Sequence, residues 1–282
     1  MTRALEGKVV VVVGGGRGVG RAHALACAAE GARVVVNDLG ADVHGRGEDP
    51  SVAVAVVDEI RVAGGEAVAD STDVAGAAGA ERVIERALTT FGRVDGVLAA
   101  AGTIAERTVL KMDGELLDRM IDVHVRGPFA LTRIAARAMI DGGNGGSIVL
   151  HTAPVGFFGA LRQSALGATG AAVTGLVRSA AIELRKHRVR VNAIAPTART
   201  RTTEDLPLFR GIAPDSLGPE FVGPGGAFLV SDLAHEVTGE VVGVAGTRLY
   251  AFRTRETPGY FGEGAPLSVP AIADAWAEII RA

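Results

Sequence analysis

Residues 9–20 read VVVVVGGGRGVG, the strongest local indication of a fold in this sequence. Its five valines predict a buried strand, its glycines predict a tight turn, and the alanine-rich residues 18–30 predict a helix. Glycines allow a backbone to approach a pyrophosphate closely, and a helix N-terminus favours the negative charge of that group. The spacing is Gly-x-x-x-Gly-x-Gly. It predicts a nucleotide-binding turn, with a plain tight turn as the alternative.

Beyond this turn, apolar β-branched runs alternate with alanine-rich amphipathic stretches along most of the chain. This rhythm predicts an α/β fold: a Rossmann-type doubly wound parallel sheet of about seven strands, with helices on both faces. The predicted strands cover residues 8–13, 32–37, 66–70, 94–100, 147–152, 189–195 and 240–245. The predicted helices cover residues 18–30, 52–63, 77–91, 114–140 and 164–187.

Two segments interrupt the rhythm, and the end of the chain loses it. Residues 40–50 form a polar, glycine-rich insertion after the second strand, and residues 197–218 predict a mobile loop over a site. From residue 247 the pattern is irregular until residues 270–281. We therefore predict a single dinucleotide-binding domain over residues 1–246 and a C-terminal extension over residues 247–282. We expect the extension to pack on that domain or on a neighbouring subunit.

Composition argues against several classes of partner. The 282-residue chain has a formal net charge of −3, so neither nucleic acid nor an anionic membrane is expected as a partner. Cys27 is the only cysteine, and no His/Asp/Glu spacing indicates a metal site. The N-terminal valine run is too short to span a membrane and lacks the layout of a signal peptide. A cytoplasmic location is therefore expected.

Asp38 indicates which dinucleotide the predicted site prefers. It ends the second predicted strand, twenty residues after Gly18. A carboxylate there can accept hydrogen bonds from the adenosine ribose hydroxyls and would repel a 2′-phosphate, and Leu39 and Gly40 supply no arginine to hold one. The pattern predicts NAD in preference to NADP. The alternative is that Asp38 only initiates a turn.

Several motifs together resemble the short-chain dehydrogenase family over about residues 7–246. They are the glycine turn, Ala101-Gly102 after the fourth strand and Ile194-Ala195-Pro196 after the sixth. Residues 37–40 with the insertion behind them, and residues 123–127, look most like the dehydrogenase units of multifunctional β-oxidation enzymes. Those units act on 3-hydroxyacyl-CoA with NAD, so the resemblance implies a similar cofactor here and an acyl-CoA-like ligand.

The resemblance also implies which residues contact the cofactor. Asp73 and Val74 match the family pair that frames the adenine, and Asp73 could also cap a helix, which does not exclude the first role. The complete implied set is Gly14, Gly16, Arg17, Gly18, Val19, Gly20, Asp38, Asp73, Val74, Ala101, Gly102 and Pro196.

The positions that carry the family's chemistry hold residues without proton-carrying side chains. The family moves the proton through a tyrosine, whose ordinary pKa of about 10 is lowered by a lysine, and a serine holds the substrate oxygen. The matching positions here are Leu166, Gly170 and Ala153. A shifted alignment does not restore the motif. Tyr250 and Tyr260 are the only tyrosines, and neither has a lysine four residues later.

Few polar groups could replace the missing tyrosine, and none is assigned a catalytic role. His124 stands at the family's asparagine position, and His151 and Thr152 end the fifth strand, where open α/β sheets bind ligands. A histidine can do acid–base work near neutral pH, but at a strand end it is more often a structural residue. Arg199 and Arg201 could clamp an anionic ligand or simply be solvated.

The sequence favours an NAD-binding homologue without the usual dehydrogenase activity, acting as an accessory subunit, a ligand sensor or a structural partner. The alternative is an active NAD-dependent oxidoreductase on a hydroxyacyl-CoA, a hydroxysteroid or a similar alcohol or ketone. It would use His124, His151, Tyr250 or Tyr260 for the proton relay. Small residues along 164–187 also favour a homodimer or homotetramer, or a hetero-oligomer with an active homologue.

Overall fold

The computed structural model describes residues 3–213, 215–262, 264 and 266–281. The chain divides into two compact units, residues 1–251 and 252–282. The described residues of the second unit contain one helix, α9 (Val269–Ile279), whose first turn is capped by the Ser268 hydroxyl. The Thr257 hydroxyl donates to the Ile279 carbonyl oxygen at 2.6 Å. The packing expected for the C-terminal extension stays a prediction.

The first unit has the predicted Rossmann-type architecture. One eight-stranded sheet has the order β3-β2-β1-β4-β5-β6-β7-β8, with β8 antiparallel to β7 and all other neighbours parallel. The strands are β1 (Val9–Val13), β2 (Arg33–Asn37), β3 (Glu66–Asp70), β4 (Gly96–Ala99), β5 (Gly146–His151), β6 (Val189–Thr197), β7 (Val241–Ala245) and β8 (Arg248–Ala251).

Helices cover both faces of this sheet. The first layer contains α1 (Gly18–Ala29), α2 (Ser51–Val62) and α8 (Gly223–Val230), and the second contains α3 (Ala77–Phe91), α5 (Gly127–Asp141) and α7 (Ser164–Leu184). Two shorter helices, α4 (Gly114–Ile121) and α6 (Val155–Phe158), precede α5 and α7. Burial on both faces explains why β1 is a continuous run of buried valines.

The topology places the candidate site at the edge of the sheet formed by the carboxyl ends of the parallel strands. The strand order reverses between β1 and β4, which are neighbours although β2 and β3 separate them in the chain. Open α/β sheets bind ligands at the carboxyl ends of the strands at such a switch point. The glycine turn follows β1 and Asp38 follows β2, so both lie at this edge.

The short helix α6 was not predicted, and three other elements also differ from the sequence predictions. β8 extends the sheet beyond the predicted end of the domain, because residues 248–251 turn back and pair with β7. α8 lies in a segment with three glycines and a proline, a composition that favours turns, although proline is tolerated in a first helical turn. The long helix predicted over residues 114–140 contains a π-helical turn at Asp122–Arg126.

α7 with its final 3₁₀ turn, Ser164–His187, is long and apolar enough by length and composition to cross a membrane. In the described structure it packs along β6 and β5, with Val173 and Val177 buried on its inner side. Core helices of α/β proteins have the same composition, so the feature is weak as an indication of a membrane span.

Candidate functional site

The glycine turn is shaped by close backbone approaches. Gly14 has a positive φ of +71°, and a Cβ there would lie 2.5 Å from the Ala101 amide nitrogen. A Cβ at Gly20 would collide with the Gly14 carbonyl oxygen. The turn therefore packs directly against the end of β4. Its last residues, Gly18, Val19 and Gly20, form the first turn of α1, where backbone N–H groups lack intrahelical partners and favour an anion.

Asp38 is tied to this turn by hydrogen bonds. Its Oδ2 accepts a hydrogen bond from the Gly16 amide at 2.8 Å, and its Oδ1 accepts one from the Gly40 amide at 2.8 Å. The end of β2 is thereby fixed beside the glycine turn, as the family pattern implies. The second bond also makes Asp38 a turn residue, so the two interpretations of the sequence do not exclude each other.

The insertion after β2 folds over this edge of the sheet, and we call residues 40–48 the strap. The Ala41 carbonyl oxygen accepts hydrogen bonds from Arg17 Nη1 and Arg201 Nη2, both at 2.9 Å. On the other side, Thr103 Oγ1 donates to the Val43 carbonyl at 3.2 Å. The strap thus connects the glycine turn and the loop after β6 to the loop after β4.

Arg17 and Arg201, which donate to the strap, were not predicted as neighbours of Asp38. Leu39 and Gly40 supply no guanidinium, but two arginines donate to Ala41, three residues after Asp38. Partial desolvation and the nearby Arg17 lower the pKa of Arg201, and Asp38 opposes that shift. Arg201 is exposed but hydrogen-bonded to the strap, so it is more than a solvated loop residue.

The remaining implied cofactor residues lie at the ends of β3, β4 and β6. Asp73 is exposed and its Oδ1 accepts from the Ala75 amide at 2.9 Å, while the N-cap of α3 is Gly76. The helix-cap role considered for Asp73 is therefore wrong. Val74 follows it, Ala101 and Gly102 follow β4, and Pro196 lies near the end of β6 opposite Val244.

Apolar packing fills the region of the family's tyrosine. Leu166 packs against a small cluster that contains Ala105, Met120 and Ala165, together with the partly buried Met112 and Leu116. One helical turn later, the Gly170 carbonyl accepts a hydrogen bond from Thr152 Oγ1 at 2.8 Å. Thr152 is buried and already engaged in this bond, so it is a poor replacement for a catalytic hydroxyl.

His124 lies in the π-helical turn and holds the loop after β4. Its Nε2 is 2.8 Å from the Thr103 carbonyl oxygen and 3.2 Å from the Thr103 amide nitrogen. A Cβ at Gly102 would lie 3.0 Å from the imidazole. Burial lowers the pKa of His124, which keeps the ring neutral at neutral pH. The contacts give His124 a structural role beside the implied cofactor residue Gly102.

His151 ends β5 and forms a buried pair with His23 of α1, a residue that the sequence did not single out. Their Nε2 atoms are 2.9 Å apart and their rings meet edge to face. His23 Nδ1 lies 3.3 Å from the Gly223 carbonyl oxygen. Burial lowers the pKa of His23 to about 4 and that of His151 well below its usual value. Neutral imidazoles with such low pKa values are weak proton acceptors.

The other candidates have structural contacts. Arg199 donates to the Phe209 and Ile212 carbonyl oxygens, both at 3.0 Å, and its guanidinium lies over the Phe209 ring. It therefore organises the loop after β6. Tyr250 belongs to β8, with its ring over Gly243 and the Arg248 guanidinium 4.5 Å from the ring centre. Tyr260 belongs to the second unit.

The described residues contain no group of three or more His, Cys, Asp or Glu side chains that could hold a metal ion. What the site does present is a glycine turn, the start of α1 and a carboxylate at the end of β2. These groups fit the pyrophosphate and the adenosine ribose of a dinucleotide.

Comparisons with known proteins agree with this geometry. A family model described as short chain dehydrogenase matches residues 8–207. A short-chain type dehydrogenase/reductase of Mycobacterium tuberculosis is 37% identical over 279 residues, which cover 98% of this chain and 94% of the relative. Peroxisomal multifunctional enzyme type 2 of Mus musculus is 41% identical over 231 residues, which cover 82% of this chain but 30% of that enzyme.

This chain is also similar to a solved structure of a short chain dehydrogenase. The crystal structure of a short chain dehydrogenase from Mycobacterium avium has a TM-score of 0.87 and 37% sequence identity to this chain. The match covers 98% of this chain and 96% of that one.

Proposed function

This chain belongs to the short-chain dehydrogenase family, and we propose that it binds a nicotinamide dinucleotide, NAD in preference to NADP, without the family's tyrosine-based proton transfer. The family is one of oxidoreductases. In this proposal, the chain retains the dinucleotide binding of the family but not its proton transfer.

The cofactor part of the proposal is supported by backbone geometry. The positive φ of Gly14, the approach of Gly20 to Gly14 and the partly exposed first residues of α1 leave room and N–H donors for a pyrophosphate. Asp38 offers a carboxylate for the ribose hydroxyls. A dinucleotide would supply a hydride acceptor or donor. Relatives named L-rhamnose 1-dehydrogenase (NAD(P)(+)) use both cofactors, so the preference for NAD rests on Asp38 alone.

The packing of Leu166 is the observation that carries the catalytic part of the proposal. Its side chain joins Met112 and Leu116 in an apolar cluster, so the family's tyrosine position is occupied by a group that cannot ionise. Gly170 and Ala153 likewise offer no side chain that could hold a proton or a substrate oxygen. A positioned acid–base group contributes about 10²–10⁴-fold to a rate, so we expect little turnover without one.

A second function, an active oxidoreductase with a replaced proton relay, is supported by the names of the relatives. Several are called dehydrogenases or multifunctional enzymes, and these names favour activity over a silent protein. His124 and His151 are the groups that could take part. Both are engaged by structural contacts and have lowered pKa values, which is why we place this function second.

One assay separates the two functions. Purified protein is mixed with NAD and a panel of 3-hydroxyacyl-CoA and hydroxysteroid substrates, and NADH formation is followed by absorbance. We expect no turnover above background, together with retained NAD binding. Turnover of about 1 s⁻¹ or faster, typical of ordinary enzymes, would establish the second function instead.

We further propose that the protein is cytoplasmic and forms a homodimer or homotetramer, or associates with an active homologue. The outer face of α7 supports the assembly, because Ala168, Ala171, Ala172 and Gly175 are exposed and small. Small residues permit a second helix to approach closely. The protein would then act as an accessory subunit, a sensor of an acyl-CoA-like ligand or a structural partner.

A further inference from the structure

A cavity of about 320 Å³ lies beside the strap, and neither Arg17 nor Arg201 is among the residues that line it. Its walls come from three separate parts of the chain: the strap, the loop after β4 and the start of α4. The lining includes His44 and Arg46 of the strap, Thr103 and Arg107 of the loop, and Arg119 of α4. None of these residues except Thr103 adjoins the implied cofactor contacts in sequence.

The cavity is held in shape by hydrogen bonds rather than by chance proximity. Arg119 Nη1 donates to the His44 carbonyl at 3.0 Å, and Thr103 Oγ1 donates to the Val43 carbonyl at 3.2 Å. Gly45 packs between these two partners, because a Cβ there would lie 3.8 Å from Arg119 Cδ. The strap is therefore fixed both to the loop after β4 and to α4, which form the other walls of the cavity.

The charges around the cavity favour an anion. Three arginines face two carboxylates, Asp113 and Glu115. Asp113 caps α4 by accepting from the Leu116 amide at 2.8 Å, and Glu115 lies 3.6 Å from Arg119. Within the described part of the chain, Arg46 and Arg107 have no carboxylate within ion-pair distance. Arg46 interacts electrostatically with Asp42, which does not line the cavity, but no described residue holds Arg46 or Arg107 in an ion pair, so both exposed guanidinium groups can bind a ligand.

We propose that this cavity is a binding site for a phosphate-bearing ligand, distinct from the dinucleotide site. Guanidinium groups are planar donors that match phosphate oxygens in pairs, and several around one cavity suit a group with three or more oxygens and up to two negative charges. The volume is at the lower end for small-molecule sites and accommodates a phosphate with part of the molecule that carries it. The proposal goes beyond dinucleotide binding and does not depend on it.

The test is calorimetric titration of the full chain with inorganic pyrophosphate. The informative variant is Arg46→Gln with Arg107→Gln, and the matched control is Arg133→Gln with Arg137→Gln, which removes the same charge from the outer face of α5. We expect the first double variant to weaken pyrophosphate binding by about tenfold or more and the control to leave it unchanged. Equal weakening in both would mean general electrostatic attraction and would overturn the proposal.

Two further experiments determine whether pyrophosphate binds at the cavity or at the dinucleotide site. Gly20→Ala disrupts the glycine turn, and we expect it to leave pyrophosphate binding at the cavity intact. Loss of that binding in Gly20→Ala would place the anion at the turn and overturn the proposal. Arg46→Gln with Arg107→Gln should leave NAD affinity within about twofold of the wild type. A tenfold loss of NAD affinity would assign the cavity to the phosphates of the dinucleotide, and the distinct site would be rejected.

Discussion

The Nε2 atoms of His23 and His151 lie 2.9 Å apart beneath the candidate site, where α1 meets the end of β5. A hydrogen bond between them requires one ring to donate and the other to accept. A pair of protonated imidazoles would instead repel, and the fully buried His23 would lose the hydration of its charged form. The pair is therefore stable only while at least one ring is neutral.

This histidine pair makes the free energy of unfolding depend on pH. Burial lowers the folded-state pKa of His23 from 6.5 to about 4, so the unfolded chain binds a proton between these values and the folded chain does not. The contribution of neutral His23 to the free energy of unfolding is fully present above pH 6.5 and is lost as the pH falls towards 4. The loss is about 3 kcal/mol for His23. Urea unfolding between about pH 7.5 and pH 4.5 measures it.

The control for this prediction is an exposed histidine. His23→Gln should flatten the fall in unfolding free energy below pH 6.5, whereas His235→Gln should leave it as steep as in the wild type, since the His235 side chain is 75% exposed. Equal slopes in all three proteins would show that the pair does not carry the acid sensitivity.

Restoring the family's chemical groups should restore turnover. The change is Ala153→Ser with Leu166→Tyr and Gly170→Lys. We expect an increase of about 10²–10⁴-fold over the wild type, because a positioned acid–base group contributes that much. At residue 170 a Cβ would lie 3.2 Å from Thr152 Oγ1, so the lysine requires a small shift there. NADH formation with the substrate panel is the measurement.

The matched control keeps the serine and the lysine but retains Leu166. It should stay as slow as the wild type, because the tyrosine is the group that carries the proton. If the wild type already equals the triple variant at ordinary enzyme rates, a relay exists elsewhere and the replaced-relay function becomes the better account.

Cofactor preference should depend on Asp38. We expect Asp38→Ala to weaken NAD binding by about tenfold and to shift the preference towards NADP, since the carboxylate that would repel a 2′-phosphate is removed while Arg17 and Arg201 remain bound to Ala41, three residues away. Calorimetry with both dinucleotides gives the ratio. Asp58→Ala, on the exposed side of α2, is the control and should change neither affinity. An unchanged ratio in Asp38→Ala would argue against any role of Asp38 in the preference.

Assembly should depend on the small residues of α7. Ala172→Arg adds a bulky charge to the exposed face of this helix, and we expect it to convert the oligomer to a monomer in sedimentation experiments. Ala78→Arg adds the same group to an exposed position of α3 and should leave the oligomer intact. A wild type that is already monomeric would contradict the proposed assembly.

The fold was predictable because local patterns determine it. Buried valines at β1 and glycines at the turn impose a strand and a tight connection, and the same rhythm recurs along the chain. β8 was missed because its four residues, three of them exposed, show no apolar alternation, and only pairing with β7 makes them a strand. α8 was missed because its glycines favour turns, and packing against α1 overrides that preference.

The site was predictable only where it depends on the backbone. The position of Asp38 at the end of β2 was predicted, whereas its hydrogen bond from the Gly16 amide was not. The contact between Arg201 and Ala41 joins residues 160 positions apart, and no local pattern indicates it. His23 looked like one polar residue in an alanine-rich helix, and its partner becomes evident only when β5 is placed beside α1.

The most direct test of the account is a calorimetric titration of the wild-type protein with NAD, beside Gly20→Ala and the control Gly76→Ala. An added Cβ collides with the Gly14 carbonyl oxygen in Gly20→Ala, whereas at Gly76 nothing lies within 4 Å. We predict saturable binding with a Kd of about 1 μM–1 mM for the wild type and Gly76→Ala, and none for Gly20→Ala. No saturable binding by the wild type would contradict the proposal that this chain is a dinucleotide-binding protein.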